Sequence, residues 1–138
     1  MTPLRFRAWH KIKRQWQDIV YIDFLTGNVG VIVVVENQNT GEAEQEQELW
    51  NKEDVIIVQS TGLKDKNGEE IFEGGIVRFK YYGNVFIVDV RYVNFGYLPF
   101  RDIDEKNAIG GIENEVCEVI GNIYQDSHLL ENPELLTK

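Results

Sequence analysis

The sequence predicts a mostly β protein, and three observations carry that prediction. Short runs of β-branched and aromatic residues recur along the chain, turn-forming glycine and asparagine residues separate them, and apolar residues at helical spacing are almost missing. Short strands joined by such turns are typical of a small barrel or sandwich. At 138 residues and 43% hydrophobic composition, the chain can build one domain or two small, coupled halves.

The strand predictions follow the chain in order. An unbroken β-branched run at Val31–Val35 indicates a strand that crosses a core, and the runs downstream repeat or alternate this pattern. The later predicted strands are Val55–Val58, Ile76–Phe79, Val85–Val93 and Val116–Tyr124, the last bent at Gly121.

The turns between these runs are also predicted. Asn67-Gly68 favours a type I′ hairpin turn, because both central residues of that turn take positive φ. Gly27-Asn28 and Gly83-Asn84 fit turns in which the glycine comes first. The polar stretch 102–115 indicates a long loop.

Helical signal is sparse. Within residues 36–54, the glutamate-rich stretch 41–50 is compatible with a short helix, a hairpin tip or a mobile loop. Near the C-terminus, Ser127 can cap a turn through Leu130. Asn132 can cap a further turn whose first helical position is Pro133. We therefore expect one or two short helical turns in the tail.

Charge is unevenly distributed along this acidic chain, whose net charge is -9. Residues 1–16 carry five basic residues and no acid, whereas residues 36–54 carry seven acids and one lysine. These segments are either two solvated faces or the two sides of a head-to-tail contact between copies. Trp9, Trp16 and Trp50 lie in or beside them and either form the centre of that interface or close the N-terminal core.

The lone Cys117 excludes an intrachain disulfide and fits a reducing compartment. The N-terminus lacks an apolar run of signal-peptide length, and the longest apolar run, Val29–Val35, is too short to span a bilayer. We expect a soluble intracellular protein with no membrane partner.

No set of residues in the sequence predicts catalysis. The Gly74-Gly75 pair precedes a strand, whereas phosphate-binding glycine loops precede a helix. His10 and His128 lack partners at metal-ligand spacing and are expected at the surface. Glu73 lies beside the Gly74-Gly75 pair, and a hydrogen bond to turn amides explains it without catalysis. Asp89 interrupts an apolar strand, and a position on the solvent face explains it. We expect no enzyme activity, no cofactor and no bound metal.

The alternative function is nucleic-acid association. Arg78, Lys80 and Arg91 lie among the aromatic residues of the second half, and small barrels bind single strands with such combinations. The excess of acids in the same half disfavours this alternative.

Three stretches resemble the YopX-like family of small phage and prophage proteins. They are LRFRAW at Leu4–Trp9, TGLKDKNGEEIFEG followed by IVRFK in the middle, and EVIGNIY followed by ENPELL near the end. Two positions depart from the family pattern, because Gly75 stands where an aspartate is usual and His10 where an acid usually follows the tryptophan.

The resemblance implies an SH3-like barrel at residues 61–138 with a C-terminal tail, preceded by an N-terminal β region at residues 1–60. It implies a phage or prophage origin and expression in the cytoplasm of a bacterial host, and it supplies no biochemical activity or functional residue. The leading hypothesis is therefore a non-catalytic accessory protein that acts through protein contacts and self-associates.

Overall fold

A computed structural model describes residues 5–93, 96–100 and 111–131. The described residues up to Gln59 form one compact unit, and those from Ser60 onward form a second. Strand β5 (Val55–Lys64) begins in the first unit and ends in the second. The chain is mostly β, as predicted, with antiparallel pairing in every sheet.

The first unit is a single antiparallel sheet in the order β4-β3-β2-β1-β5. Its strands, before the start of β5, are β1 (Phe6–His10), β2 (Gln15–Ile22), β3 (Val29–Glu36) and β4 (Ala43–Trp50). A 3-10 turn at Lys52–Asp54 precedes β5.

Alternation along these strands places one buried cluster on a single face of the sheet. In the β3–β4 register, Val29 lies opposite Trp50 and Val31 opposite Glu48. Ala8 and Val55 join Val29, Val31 and Trp50 in the buried cluster. Paired residues of adjacent strands share a face, so the side chains of this cluster lie on one face and join four strands.

Residues 36–54 therefore form strand, turn and strand, which excludes the helix and leaves the hairpin. Glutamates at alternate positions of β4 share one face. The extended strand spaces these charges along the sheet, whereas a helix would crowd them within one turn. The turn uses Asn37, whose side-chain oxygen accepts hydrogen bonds from the amides of Asn39 and Thr40.

The second unit contains the end of β5 and two further sheets. The end of β5 pairs with β6 (Glu70–Phe72), and a short hairpin joins β9 (Arg91–Val93) to β10 (Gly96–Leu98). The central strand β7 (Gly75–Tyr81) pairs with β8 (Asn84–Asp89) on one side and β11 (Glu118–Asn122) on the other.

The core of the second unit consists of apolar residues from β6, β7 and the segments that connect the later strands. Its buried members are Ile71, Val77, Phe79, Val90, Ile112 and Cys117. Within the described residues the sheets do not close into a barrel, so the SH3-like barrel remains a prediction. β11 carries a bulge between Val119 and Gly121, beside the predicted bend.

The turn predictions were wrong in their types. Gly68 has φ of 81°, but Asn67 is not among the positive-φ residues, and the Gly68 amide bonds to the Asp65 carbonyl. This is a three-residue turn closed by a left-handed glycine. The type I′ pattern occurs instead at Tyr82-Gly83, where both residues have positive φ.

The C-terminal prediction is confirmed in its first part. Helix α1 spans His128–Glu131, and the Leu130 amide bonds to the Ser127 carbonyl. The predicted turn at Asn132 and most of the loop at 102–115 lie outside the described residues. No helix in the described ranges has the length and apolar composition of a membrane span.

Candidate functional site

The first predicted site, the tryptophan interface, is largely a core feature. Trp9 is 3% exposed and Trp50 is 2% exposed, so neither has surface to lose on association. Their burial supports the alternative, that they close the N-terminal core, and the interface stays a prediction. Trp16 is half-buried and its ring lies 5.1 Å from that of Trp9.

The basic N-terminal residues interact inside the first unit. Arg5 pairs with Asp18 at 3.3 Å, and the Lys13 ammonium pairs with Glu48. The Arg7 guanidinium lies 4.7 Å from the centre of the Trp16 ring. Hydrogen bonding to Lys13 lowers the pKa of Glu48 despite some desolvation. These contacts use positive charge that a head-to-tail contact would have required.

The turn between β2 and β3 exposes two large apolar side chains. Phe24 is 93% exposed and Leu25 is 98% exposed, the highest values among the large apolar residues described. The turn itself is well defined: the Asp23 amide bonds to the Asn28 carbonyl, and the Gly27 amide to the Asp23 carbonyl. We call Phe24 and Leu25 the apolar tip.

Asp23 fixes the start of this turn. Its carboxylate accepts a hydrogen bond from the Leu25 amide at 2.9 Å. That bond, followed by one from the Thr26 side chain, lowers the pKa of Asp23. Polar contacts thus hold the turn, while its apolar side chains face solvent. Folding of this unit does not require the exposure of those apolar side chains.

A groove of about 320 Å³ adjoins the apolar tip in the first unit. Phe24 forms part of its lining, and Val20 and Tyr21 bring further exposed apolar surface to it. Its other lining residues are Arg5, Phe6, Asp18, Ile19 and Ile22. A recess and a projecting apolar turn therefore lie side by side on one unit.

His10 is buried, contrary to the surface position expected for it. Its Nδ1 atom accepts hydrogen bonds from the amides of Ile12 at 3.3 Å and Lys13 at 3.0 Å. Its ring packs edge-on against Trp50 at 4.8 Å. An aspartate at this position would carry an acceptor on the same γ-carbon, so His10 can supply the turn contact of the family's usual acid.

Asp65 is the most extensively bonded carboxylate described, and it lies within the family-like segment. One of its oxygens accepts from the amides of Asn67 at 2.8 Å and Glu69 at 2.9 Å. The other accepts from the Val119 amide in β11 at 2.9 Å. Burial raises the pKa of Asp65, but the three amide bonds outweigh it and lower the pKa.

The carboxylates proposed from sequence are not brought together with a histidine. Asp89 pairs with Arg91 at 3.7 Å. Burial, and secondarily the charge of Glu73, raises the pKa of both Tyr97 and Tyr124. Within the described residues, no group of three or more histidine, cysteine, aspartate or glutamate side chains could hold a metal ion.

Gly75 owes its identity to close packing. A side chain there would place its β-carbon 3.0 Å from the Phe72 carbonyl oxygen, which is tighter than ordinary contact. The family's usual aspartate would require that backbone to shift. The preceding Gly74 has φ of 84°, and a β-carbon there would lie 3.0 Å from the Tyr124 ring, so both glycines serve the entry into β7.

The three residues predicted to form one basic surface do not all line the same groove. Arg78 and Lys80 line a groove of about 430 Å³ in the second unit, together with Lys66, Phe79 and Val116. Arg91 does not line this groove and pairs with Asp89 instead. Phe79 is buried and stacks with Phe86 at 5.7 Å, so its ring face is not available for a base.

Cys117 lies in the core of the second unit, as expected for a lone strand-adjacent cysteine. Burial, followed by the nearby Asp65 charge, raises the pKa of its thiol to about 11. The thiol donates a weak hydrogen bond to the Glu113 carbonyl at 3.5 Å. It is therefore protonated at neutral pH and poorly suited to act as a nucleophile.

Sequence reasoning missed the apolar tip, Asp65 and Lys66. The signal for Asp65 was present, because an aspartate two residues before Asn-Gly is a frequent turn former. The apolar tip could be read from Phe-Leu directly before Thr-Gly-Asn, where a turn is predicted and apolar residues are unusual. Lys66 joins Arg78 only through the pairing of distant strands, which no local pattern shows.

Comparison with known proteins gives two findings. The sequence matches the model of the YopX family, described as YopX protein, over residues 5–131. The structure is similar to the crystal structure of protein EF1440 from Enterococcus faecalis, with 26% sequence identity and a TM-score of 0.60. That similarity covers 94% of this chain and 99% of the other. No curated protein gives a significant match.

Proposed function

The chain belongs to the YopX family, and on that premise we propose that it is a phage or prophage accessory protein that acts without catalysis, through protein contacts that include self-association. Its place of action is the bacterial cytoplasm, where the single cysteine stays reduced. The observation that carries the proposal is the apolar tip, two large side chains that are almost fully exposed.

The apolar tip supports association because exposing it is costly. Burying a phenylalanine or leucine side chain contributes about 1.5–3 kcal/mol, and this unit forgoes that contribution at two adjacent positions. Asp23 and Gly27 hold the turn in a defined conformation, so little conformational freedom is lost when the tip is covered. A preorganised apolar turn is a suitable centre for an interface.

The occupant we propose is a second copy of the chain. The groove beside the tip has Phe6, Ile22 and neighbouring apolar surface in its lining. When a projecting residue and a recess adjoin on one surface, a two-fold axis can insert each copy's tip into the other copy's groove. The inserted tip is apolar, so the contact should persist in high salt, unlike the charge-driven contact considered from sequence.

The test measures molar mass by light scattering coupled to size exclusion, at tens of micromolar protein and at low and high salt. The wild type should be a dimer in both conditions. The double variant Phe24→Ser with Leu25→Ser should be monomeric, with its dissociation constant raised by at least about a hundredfold.

The matched control is Ile12→Ser, because Ile12 is 73% exposed in the β1–β2 turn and does not line the groove. This variant should remain dimeric. A monomeric wild type at both salt concentrations contradicts the proposal. A dimer that the tip variant leaves intact, with unchanged circular dichroism, places the interface elsewhere.

A further inference from the structure

Three cations line one groove on the outer face of the second unit's central sheet. Arg78 and Lys80 alternate on β7, so they project from the same face, opposite the buried Val77 and Phe79. Lys66, from the turn after β5, lines the same groove. We call this the basic groove.

Within the described residues, carboxylates neutralise the three cations of the basic groove only in part. Glu118 is the carboxylate that approaches these cations, with its oxygen 3.7 Å from the Lys66 ammonium and 4.0 Å from the Arg78 guanidinium. Both distances exceed a hydrogen bond. In a chain of net charge -9, three cations around one carboxylate form a local positive site.

A second observation comes from Arg78 itself. Its Nε atom is buried and has no hydrogen-bond partner among the described residues. A buried donor without an acceptor is destabilising, and more so when the group is charged. A bound anion can supply that acceptor when the partly exposed Arg78 side chain turns into the groove that it lines, and this groove of about 430 Å³ has room for a compact anion.

We propose that the basic groove binds a phosphate group. The planar guanidinium of Arg78 suits two acceptor oxygens of one tetrahedral anion, and Lys66 and Lys80 supply further point charges. The phosphate can come from a nucleotide or from a nucleic-acid backbone. Base stacking contributes nothing here, because Phe79 is buried against Phe86.

The test uses inorganic phosphate as the probe and follows amide chemical shifts by NMR at constant ionic strength, with chloride as the matched anion. Phosphate should shift the amides of Lys66, Arg78 and Lys80 saturably, and chloride should not. Arg78→Ala should weaken phosphate binding by about tenfold or more, since a charge-assisted hydrogen bond contributes about 1.5–3 kcal/mol.

Two further variants keep the proposal open to refutation. Lys80→Ala removes an exposed cation from the groove and should weaken binding even if Arg78→Ala fails to fold. Arg91→Ala is the matched control, because Arg91 is exposed and lies outside the groove lining. Its phosphate affinity should equal that of the wild type.

A nucleoside monophosphate and a short single-stranded oligonucleotide distinguish the two sources. Tighter binding of the monophosphate than of inorganic phosphate assigns the site to nucleotides. Tighter binding of the oligonucleotide, lost equally in Lys80→Ala and in Arg78→Ala, assigns it to a backbone. Shifts that do not saturate, shifts equal to those with chloride, or equal losses in Arg91→Ala and Lys80→Ala overturn the proposal.

Discussion

Two turns, one in each unit, depend on a buried polar side chain, and they use it differently. His10 ends β1 and bonds only within its own turn, to the amides of Ile12 and Lys13. Asp65 follows β5 and bonds within its turn, but it also reaches the Val119 amide, 54 residues later in the chain. The first contact shapes a hairpin, whereas the second also joins a turn to a distant strand.

The difference teaches why the central family-like segment is so specific. A local turn contact can be made by any side chain with an acceptor on the γ-carbon, which is how a histidine can replace the family's usual acid at position 10. The contact of Asp65 needs two acceptor oxygens at once. Only a carboxylate of this length supplies both without a donor facing the amides.

The largest expected effect is that of Asp65→Ala. The variant leaves the amides of Asn67, Glu69 and Val119 without their acceptor, and we expect the free energy of unfolding to fall by about 3 kcal/mol. Urea denaturation measures it. A loss below about 1 kcal/mol would show that water replaces the carboxylate and that Asp65 does not join the strands.

The pH dependence of stability separates the charge of Asp65 from its shape. The folded-state pKa lies below the ordinary value of 3.8, so the unfolded chain binds the proton more readily. Its contribution is therefore fully present above the unfolded pKa and is lost as pH falls through the folded pKa. The stability difference between the wild type and Asp65→Asn should be constant near neutral pH and shrink in acid. A difference that does not change with pH contradicts this.

Substitution of His10 in the β1–β2 turn should lower stability by less than substitution of Asp65. His10→Ala removes one acceptor shared by two amides and should cost about 1–2 kcal/mol, whereas His10→Asn keeps an acceptor on the γ-carbon. Thermal unfolding of both variants gives the comparison. Equal losses would mean that packing against Trp50, at 4.8 Å, is what His10 contributes.

The smallest expected effect concerns the backbone of the Asp65 turn. Gly68→Ala should cost about 1 kcal/mol, because φ is 81° and a β-carbon there meets no other atom within 4 Å, so the cost is conformational alone. Asn67→Ala is the control in the same turn, since its φ is not positive and its amide is kept. If the two variants lose equal stability, the left-handed glycine is not what closes this turn.

Local patterns predicted the strands that contain β-branched runs and the C-terminal turn. Val31, Val55 and Val85 all fall in strands, because β-branched runs have few other stable conformations. The segment 41–50 resisted prediction, because Glu and Gln favour helices in isolation. Here the pairing of the Glu and Gln residues of β4 with valine and isoleucine residues of β3 decides the outcome.

The candidate sites were less predictable for a related reason. Residue type marked Trp9 and Trp50 as important, but it did not show whether they are buried or exposed. Their burial depends on packing between residues that are distant in sequence. Lys66 joins Arg78 and Lys80 only after the turn at Asp65 is tied to β11. Sequence patterns specify local backbone, whereas sites depend on contacts between distant residues.

Amide hydrogen exchange measured by NMR tests the contrast between the two turns most directly. We predict that the amides of Asn67, Glu69 and Val119 are protected in the wild type, that Val119 loses its protection in Asp65→Asn, and that all three lose protection together in Asp65→Ala. In His10→Ala, only Ile12 and Lys13 should lose protection. If the Val119 amide keeps its wild-type protection in Asp65→Asn, the tie between the turn and β11 does not exist and the account is contradicted.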